Sequence, residues 1–145
     1  MKKTLFLTYA LVCSIVIESE ESLLLSLSKE NEIKSAEEVF VMSYKNDSDL
    51  LDIKWTIEDD YYLYFDSILL KTNQDNLQFS VKEGEIINHE DEFFGETKIV
   101  RNSFKITYSI KTNDSNVKIF YQGCSDKGFC YPIQNKNINL NSSKK

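Results

Sequence analysis

Two cysteines, Cys124 and Cys130, are the residues best suited to do chemistry in this chain. They sit in Tyr121-Gln122-Gly123-Cys124-Ser125-Asp126-Lys127-Gly128-Phe129-Cys130-Tyr131-Pro132, with five residues between them. Such a pair fits a structural disulfide, metal ligation or reversible thiol–disulfide exchange. A bridge here closes a loop of seven residues. The chain-entropy model gives that loop only about 2.4 kcal/mol, against about 4.7 kcal/mol for a hundred-residue loop. A short bridge constrains little, yet it can open without unfolding the domain, as a redox carrier requires. Phe129 and Tyr131 flank Cys130 as aromatic walls, Pro132 fixes the backbone beyond, and Gly123 and Gly128 leave room for a partner backbone. Zinc is poorly served: Cys124, Cys130 and the only histidine, His89, make three ligands where a structural site takes four. From spacing alone, the staple and the redox centre both stand.

A second segment, Ile87-Asn88-His89-Glu90-Asp91-Glu92-Phe93-Phe94-Gly95, runs acidic and imidazole side chains into two adjacent aromatics. Three of the four glycines and the only proline fall in these two segments, which marks them as shaped loops.

The elements that must position these loops read as strands. Leu51, Ile53, Trp55 and Ile57 alternate with polar residues, as do Leu77, Phe79 and Val81, then Phe104, Ile106, Tyr108 and Ile110. Val117, Ile119 and Tyr121 continue the pattern, and Ile138 and Leu140 suggest a closing strand. Period-two alternation puts apolar side chains on one face of a half-buried antiparallel sheet. Polar turns at 45–49, 72–76 and 112–116 separate the runs. About seven short strands predict an all-β, immunoglobulin-like antiparallel β-sandwich of two packed sheets. A helical turn over Ser35-Ala36-Glu37-Glu38 precedes the first strand, Val39 to Met42, and Trp55 is expected as a core anchor.

Length and composition bound the rest. The chain has 145 residues, 41% hydrophobic and 28% charged, which fits one folded domain. Its net charge of −6, with no basic stripe, argues against nucleic acid as a partner. Lys2 and Lys3 followed by the uncharged run Thr4 to Ile17 read as a signal peptide over residues 1–19, with an uncleaved anchor as the other reading. Residues 20–35 read as a flexible segment, 36–141 as the folded domain and 142–145 as a polar tail. Export removes Cys13 with the leader and makes an oxidised Cys124–Cys130 pair the simplest expectation. No flavin, nucleotide or metal motif is present, so no cofactor is expected and turnover would rely on the cysteines alone.

The cysteine segment resembles the Y-Q-G-C-x-x-x-G-F-C-Y-P signature of the N-terminal periplasmic domain of the thiol:disulfide interchange protein DsbD. Trp55-Thr56-Ile57-Glu58-Asp59-Asp60-Tyr61-Tyr62-Leu63-Tyr64 resembles that family's W-x-I-x-D-G-Y-Y-L-Y block, and His89 to Gly95 resembles its H-E-D-E-F-Y-G loop. The resemblance runs from Ala36 to Leu140 and departs from the family at Asp60 (glycine), Phe94 (tyrosine) and Ile133 (a second proline). It implies a periplasmic immunoglobulin-like domain that takes electrons from a membrane-embedded thiol transporter. Thioredoxin-fold acceptors follow, among them a disulfide isomerase and a cytochrome c maturation factor. Cys130 would attack the client, Cys124 would resolve the mixed disulfide, and Phe93 would cap the sulfurs. Asp91 and Glu92 would lie near them and raise the thiol pKa. Tyr61, Tyr62 and Tyr64 would divide between the core and the underside of the cap. The chain stops at Lys145, before the membrane part and thioredoxin-like tail of the full family protein, and so reads as a stand-alone carrier or a fragment. The reading from a different class is an exported sandwich that acts as a binding or chaperone module with an inert disulfide.

Overall fold

The computed structural model describes residues 33–47, 49–72, 75–91 and 94–143. The signal-peptide reading of 1–19 and most of the 20–35 segment lie outside the described residues. The chain divides into two units, Met1–Lys34 and Ser35–Lys145. Only the last two residues of the first unit are described; the second carries the fold.

That second unit starts with a one-turn helix, α1 (Ala36–Val39). Glu38 Oε2 reaches back to the Ser35 amide (2.8 Å) and hydroxyl (2.6 Å), satisfying donors that the helix start leaves free. Strands β1 (Phe40–Asp47), β2 (Leu50–Ile57), β6 (Ser80–Glu83) and β9 (Ser103–Ser109) form one antiparallel sheet in the order β1-β2-β9-β6. In β2 the side chains of Leu51, Ile53, Trp55 and Ile57 are all buried, and in β9 so are Phe104, Ile106 and Tyr108. Alternation is lost over 77–81, where Leu77 is buried but Val81 is 38% exposed. That stretch is two short strands in different sheets, β5 (Asn76–Leu77) and β6, rather than one.

The opposite layer contains two hydrogen-bonded sheets instead of the single one expected. β4 (Leu69–Lys71), β5, β10 (Asn116–Tyr121) and β13 (Gln134–Asn139) pair in the order β13-β10-β4-β5. β3 (Tyr61–Tyr64), β7 (Ile87–Asp91), β8 (Gly95–Val100), β11 (Gly123–Ser125) and β12 (Phe129–Cys130) pair in the order β12-β11-β3-β8-β7. The split falls where two chain runs interrupt together: at the 3-10 turn Phe65–Ser67 and at Gln122. There the Ser67 hydroxyl accepts from the Gln122 amide (2.9 Å) and donates to the Tyr64 carbonyl (2.7 Å). The Tyr64 amide still donates to the Gln122 carbonyl (3.0 Å), so the two runs stay adjacent through the bend. This is an immunoglobulin-like β-sandwich with one layer bent at Ser67. Trp55 is fully buried at its centre, packed edge-on against Tyr121 (ring centroids 5.7 Å apart).

Gly123 lets β11 lie close to β3. A Cβ there would fall 2.4 Å from the Tyr62 carbonyl oxygen and 2.6 Å from the Phe40 ring. The backbone that approaches this glycine is therefore the chain's own. Gly128 sits instead at φ 80° in the hairpin turn with open space around it. Gly123→Ala should cost about 2 kcal/mol, a typical overpacking penalty. Denaturant unfolding measures it, and a loss under about 0.5 kcal/mol would mean β3 yields without strain.

Candidate functional site

The cysteine pair is held by a hairpin at the edge of the five-stranded sheet. Cys124 on β11 lies opposite Cys130 on β12, and Ser125 lies opposite Phe129. The Tyr131 amide donates to the Gly123 carbonyl (3.0 Å), which makes 123/131 the hydrogen-bonded pair and 124/130 the non-hydrogen-bonded one. That register brings facing side chains closest. The two Cα atoms are 4.0 Å apart and the sulfurs are joined. Because no ladder hydrogen bond links Cys124 to Cys130, the S–S bond can open while the backbone pairing persists. Cys124 is fully buried, whereas Cys130 is half-buried on the outermost strand.

Strand parity in β3 decides which tyrosines meet the sulfurs. Tyr62 and Tyr64 are buried on one face with Cys124, Cys130 and Ile99. Tyr61 turns the other way, toward Phe40 and Tyr131 (ring centroids 6.1 and 6.3 Å). Tyr64 Oη lies 3.1 Å from Cys124 Sγ and 3.8 Å from Cys130 Sγ. Its proton goes to Asp91 Oδ2 (2.6 Å), the same oxygen that accepts from Tyr62 Oη (2.7 Å). Asp91 Oδ1 accepts from the Phe94 amide (3.0 Å), and the residue is 6% exposed at the end of β7. A buried carboxylate thus gathers two hydroxyls and an amide directly behind the disulfide. With its proton engaged, the Tyr64 oxygen offers a lone pair to the sulfurs. A reduced Cys124 thiol can donate to it, an arrangement that favours the protonated thiol.

Burial first, and then the hydrogen bond to Asp91, push the Tyr62 hydroxyl up to about 12. The same two causes push Tyr64 higher still. These phenols stay neutral and act as donors across the working pH range.

Of the residues singled out in the sequence, the structure brings Cys124, Cys130, Tyr62, Tyr64 and Asp91 together. Tyr61, Phe129 and Tyr131 lie on the other face of their strands, so Phe129 and Tyr131 do not wall the thiol as their adjacency to Cys130 suggests. Neighbours along a strand point to opposite sides. Tyr131 is buried against Phe40 (5.4 Å), and the exposed Phe129 meets Tyr131 edge-on (4.9 Å). Glu92 and Phe93 lie outside the described residues. Among the described residues no cluster of three His, Cys, Asp or Glu side chains is placed to hold a metal ion. The sequence marked Phe94 only as a departure from the family's tyrosine and not as a site residue; its ring covers Tyr64 edge-on at 5.1 Å while remaining 61% exposed. Its signal was its place three residues after Asp91, where its amide reaches back to that carboxylate. Arg101 was passed over. Its guanidinium forms a two-pronged pair with Asp126 in the turn of the cysteine hairpin (2.9 and 2.7 Å).

Comparison with known proteins places this geometry in context. The family model described as Thiol:disulfide interchange protein DsbD, N-terminal, matches residues 30–142. A thiol:disulfide interchange protein DsbD from Colwellia psychrerythraea is 37% identical over 116 residues, covering 78% of this chain and 19% of that protein. One from Pasteurella multocida is 31% identical over 145 residues, covering 98% of this chain and 24% of that protein. The chain therefore spans a fifth to a quarter of the length of these relatives. The crystal structure of the Neisseria meningitidis DsbD N-terminal domain in the reduced form aligns with a TM-score of 0.64 at 30% identity. That alignment covers 75% of this chain and 90% of the other. A complex between the DsbD N-terminal and PilB N-terminal domains of the same organism aligns with a TM-score of 0.56 at 26% identity, covering 76% and 88%.

The raised tyrosine groups fix the sign of an alkaline response. Tyr62 has a folded pKa above its ordinary value near 10, so its stabilising contribution is complete below pH 10. It is lost as pH rises from 10 toward 12. Unfolding free energy measured from pH 8 to pH 11.5 should fall in that window, and Tyr62→Phe should make the fall shallower. Identical slopes for the two proteins would contradict the assignment.

Proposed function

The chain belongs to the family of the N-terminal domain of the thiol:disulfide interchange protein DsbD, and from that membership we propose that it passes reducing equivalents to thioredoxin-fold clients through Cys124 and Cys130. The observation that carries the reading is the asymmetry of the pair. Cys130 is half-buried on an edge strand, while Cys124 is fully buried beside the Tyr64 hydroxyl. An attacking sulfur needs access and a resolving sulfur needs only proximity.

In the reduced domain the Cys130 thiolate attacks a client disulfide. A Cys130–client bond forms, and the client's second sulfur leaves as a thiolate and takes a proton. The Cys124 thiolate then attacks Cys130 Sγ, forming the Cys124–Cys130 bond and expelling the client's remaining thiolate. The client gains two electrons and two protons, and the domain is left oxidised. Renewal requires a dithiol donor; we assign that role to a membrane-embedded thiol transporter. The clients are periplasmic proteins of the thioredoxin fold, a disulfide isomerase and a cytochrome c maturation factor among them. Localisation to the periplasm through an N-terminal signal peptide completes the reading.

Asp91, with Glu92 beside it in sequence, keeps the reduced pair protonated between encounters by placing negative charge near the sulfurs. Phe93 caps the pair until a client displaces it. The described neighbours on either side of 92–93 support both roles, since Asp91 lies behind the disulfide and Phe94 covers Tyr64.

The roles of the two sulfurs are separable by trapping. The Cys124→Ala variant should accumulate a covalent complex with an oxidised thioredoxin-fold client, visible on a non-reducing gel and dissolved by dithiothreitol. The Cys130→Ala variant should trap at least tenfold less, because its remaining thiol is buried. Equal trapping by the two variants would refute the assignment of Cys130 as the attacking residue.

A further inference from the structure

The turn of the cysteine hairpin is fastened to the body of the domain by groups that the exchange chemistry does not use. β12 is two residues long and pairs only with β11. Between them, the turn at Asp126 meets two partners from elsewhere in the chain. The Asp126 amide donates to the Asp60 carbonyl (2.8 Å), and its carboxylate receives both prongs of Arg101. Arg101 also donates to the Tyr61 carbonyl (3.3 Å), and its guanidinium lies 5.0 Å from the centre of the Tyr62 ring. One side chain therefore touches the cysteine turn, the backbone of β3 and the tyrosine that bonds Asp91.

Three further observations set this contact apart from an ordinary surface ion pair. Arg101 is the only arginine among 17 basic residues, so the chain uses lysine for every other positive charge. Only arginine offers a planar fork that meets a carboxylate at two points and lies flat on a ring. Arg101 also sits at the corner where the chain passes from β8 in the five-stranded sheet to β9 in the β1-β2-β9-β6 sheet. It lies between Val100, fully buried, and Asn102, whose carbonyl accepts from the Ile57 amide (2.7 Å). Finally, Asp60 (φ 68°) and Asn102 (φ 60°) are the two non-glycine residues with left-handed backbone among the described residues. One supplies the carbonyl to Asp126 and the other adjoins Arg101. Backbone of this kind costs energy and persists where the surroundings impose it.

We propose that Arg101 is a positioning residue for the redox pair: it holds the hairpin turn through Asp126 so that Cys130 stays opposite Cys124 when the disulfide is open. This rests on the reading that the pair cycles. In the oxidised domain the S–S bond itself pins the hairpin in the geometry that the Arg101 contact also favours, so bond and contact stabilise each other. In the reduced domain that pin is gone and Arg101 remains. Its loss should lower the effective concentration of each sulfur for the other, which is what sets the equilibrium of the intramolecular bond.

The test uses the purified chain equilibrated in glutathione buffers of graded reduced-to-oxidised ratio, with free thiols trapped by a maleimide and read on a gel. Under these conditions the Cys124 thiolate attacks the Cys130–glutathione disulfide, closes the Cys124–Cys130 bond and releases glutathione thiolate, which is protonated. Arg101→Gln should lower the equilibrium constant for closure about tenfold, a potential about 30 mV less negative, and raise the trapped Cys130–glutathione species. Because the oxidised form always holds the contact geometry while the reduced form can relax, the variant's melting temperature should drop more in the oxidised form than in the reduced form. Arg101→Lys, which keeps the charge but loses the fork, should restore less than half of the effect on a logarithmic scale. Asp126→Asn should reproduce the shift from the other side of the contact, and combining it with Arg101→Gln should add nothing further. An unchanged closure constant in both single variants overturns the proposal and leaves Arg101 a structural residue. A wild-type chain that does not exchange in these buffers overturns the cycling reading itself, a result visible before any variant is made.

Discussion

The register that sets Cys124 directly across from Cys130 in a non-hydrogen-bonded pair is the constraint on which the rest of the structure depends. It brings two sulfurs into bonding range without recruiting either residue's ladder hydrogen bonds to join them. A slip of one residue would turn one cysteine to the opposite face and end the pairing. Gly123 lets β11 lie close against β3 on its other side, because a Cβ there would meet the Tyr62 carbonyl.

The same strand geometry assembles the surroundings of the pair. With Cys124 opposite Tyr62 across β11 and β3, alternation brings Tyr62 and Tyr64 to the sulfur side and leaves Leu63 for the core. β7 then brings Asp91 to both hydroxyls from the far edge of that sheet. A carboxylate buried to this degree is tolerated only when its lone pairs are satisfied, and here hydroxyls and a backbone amide satisfy it. Asp91 is thereby held behind the disulfide, with the Tyr64 hydroxyl standing between its carboxyl group and the sulfurs. Asp60 fits this arrangement as well. It stands where the related proteins' motif has glycine, and its left-handed backbone explains why a glycine serves there and why aspartate, which tolerates that conformation, can replace it.

Much of this was legible in the sequence because strands with one buried face write a period of two. β2 and β9 appear in the alternation of Leu51 to Ile57 and Phe104 to Tyr108, and the run Ser35-Ala36-Glu37-Glu38 reads as the helical turn that α1 becomes. The β7–β8 hairpin was not legible, since Ile87 is 38% exposed and the buried residue at the strand's end is an acid, Asp91. Nor was the bend at Ser67, where one hydroxyl replaces ladder bonds without any apolar signature. At the site, the motif order pointed to the cysteines and Asp91, but adjacency misled for Phe129 and Tyr131. Being next to Cys130 in a strand means facing away from it. Arg101 lies 23 positions before Cys124 and 25 before Asp126, and only the fold brings it to the hairpin turn.

The central claim is that the Cys124–Cys130 bond opens and closes under physiological thiol conditions while the sandwich persists. The most direct test is the equilibrium reduction potential of the wild-type domain, measured alongside near-ultraviolet circular dichroism of both redox forms. The account predicts a potential less negative than about −300 mV and a reduced form that keeps its native aromatic signal. A potential below that value, or loss of the aromatic signal on reduction, would contradict it.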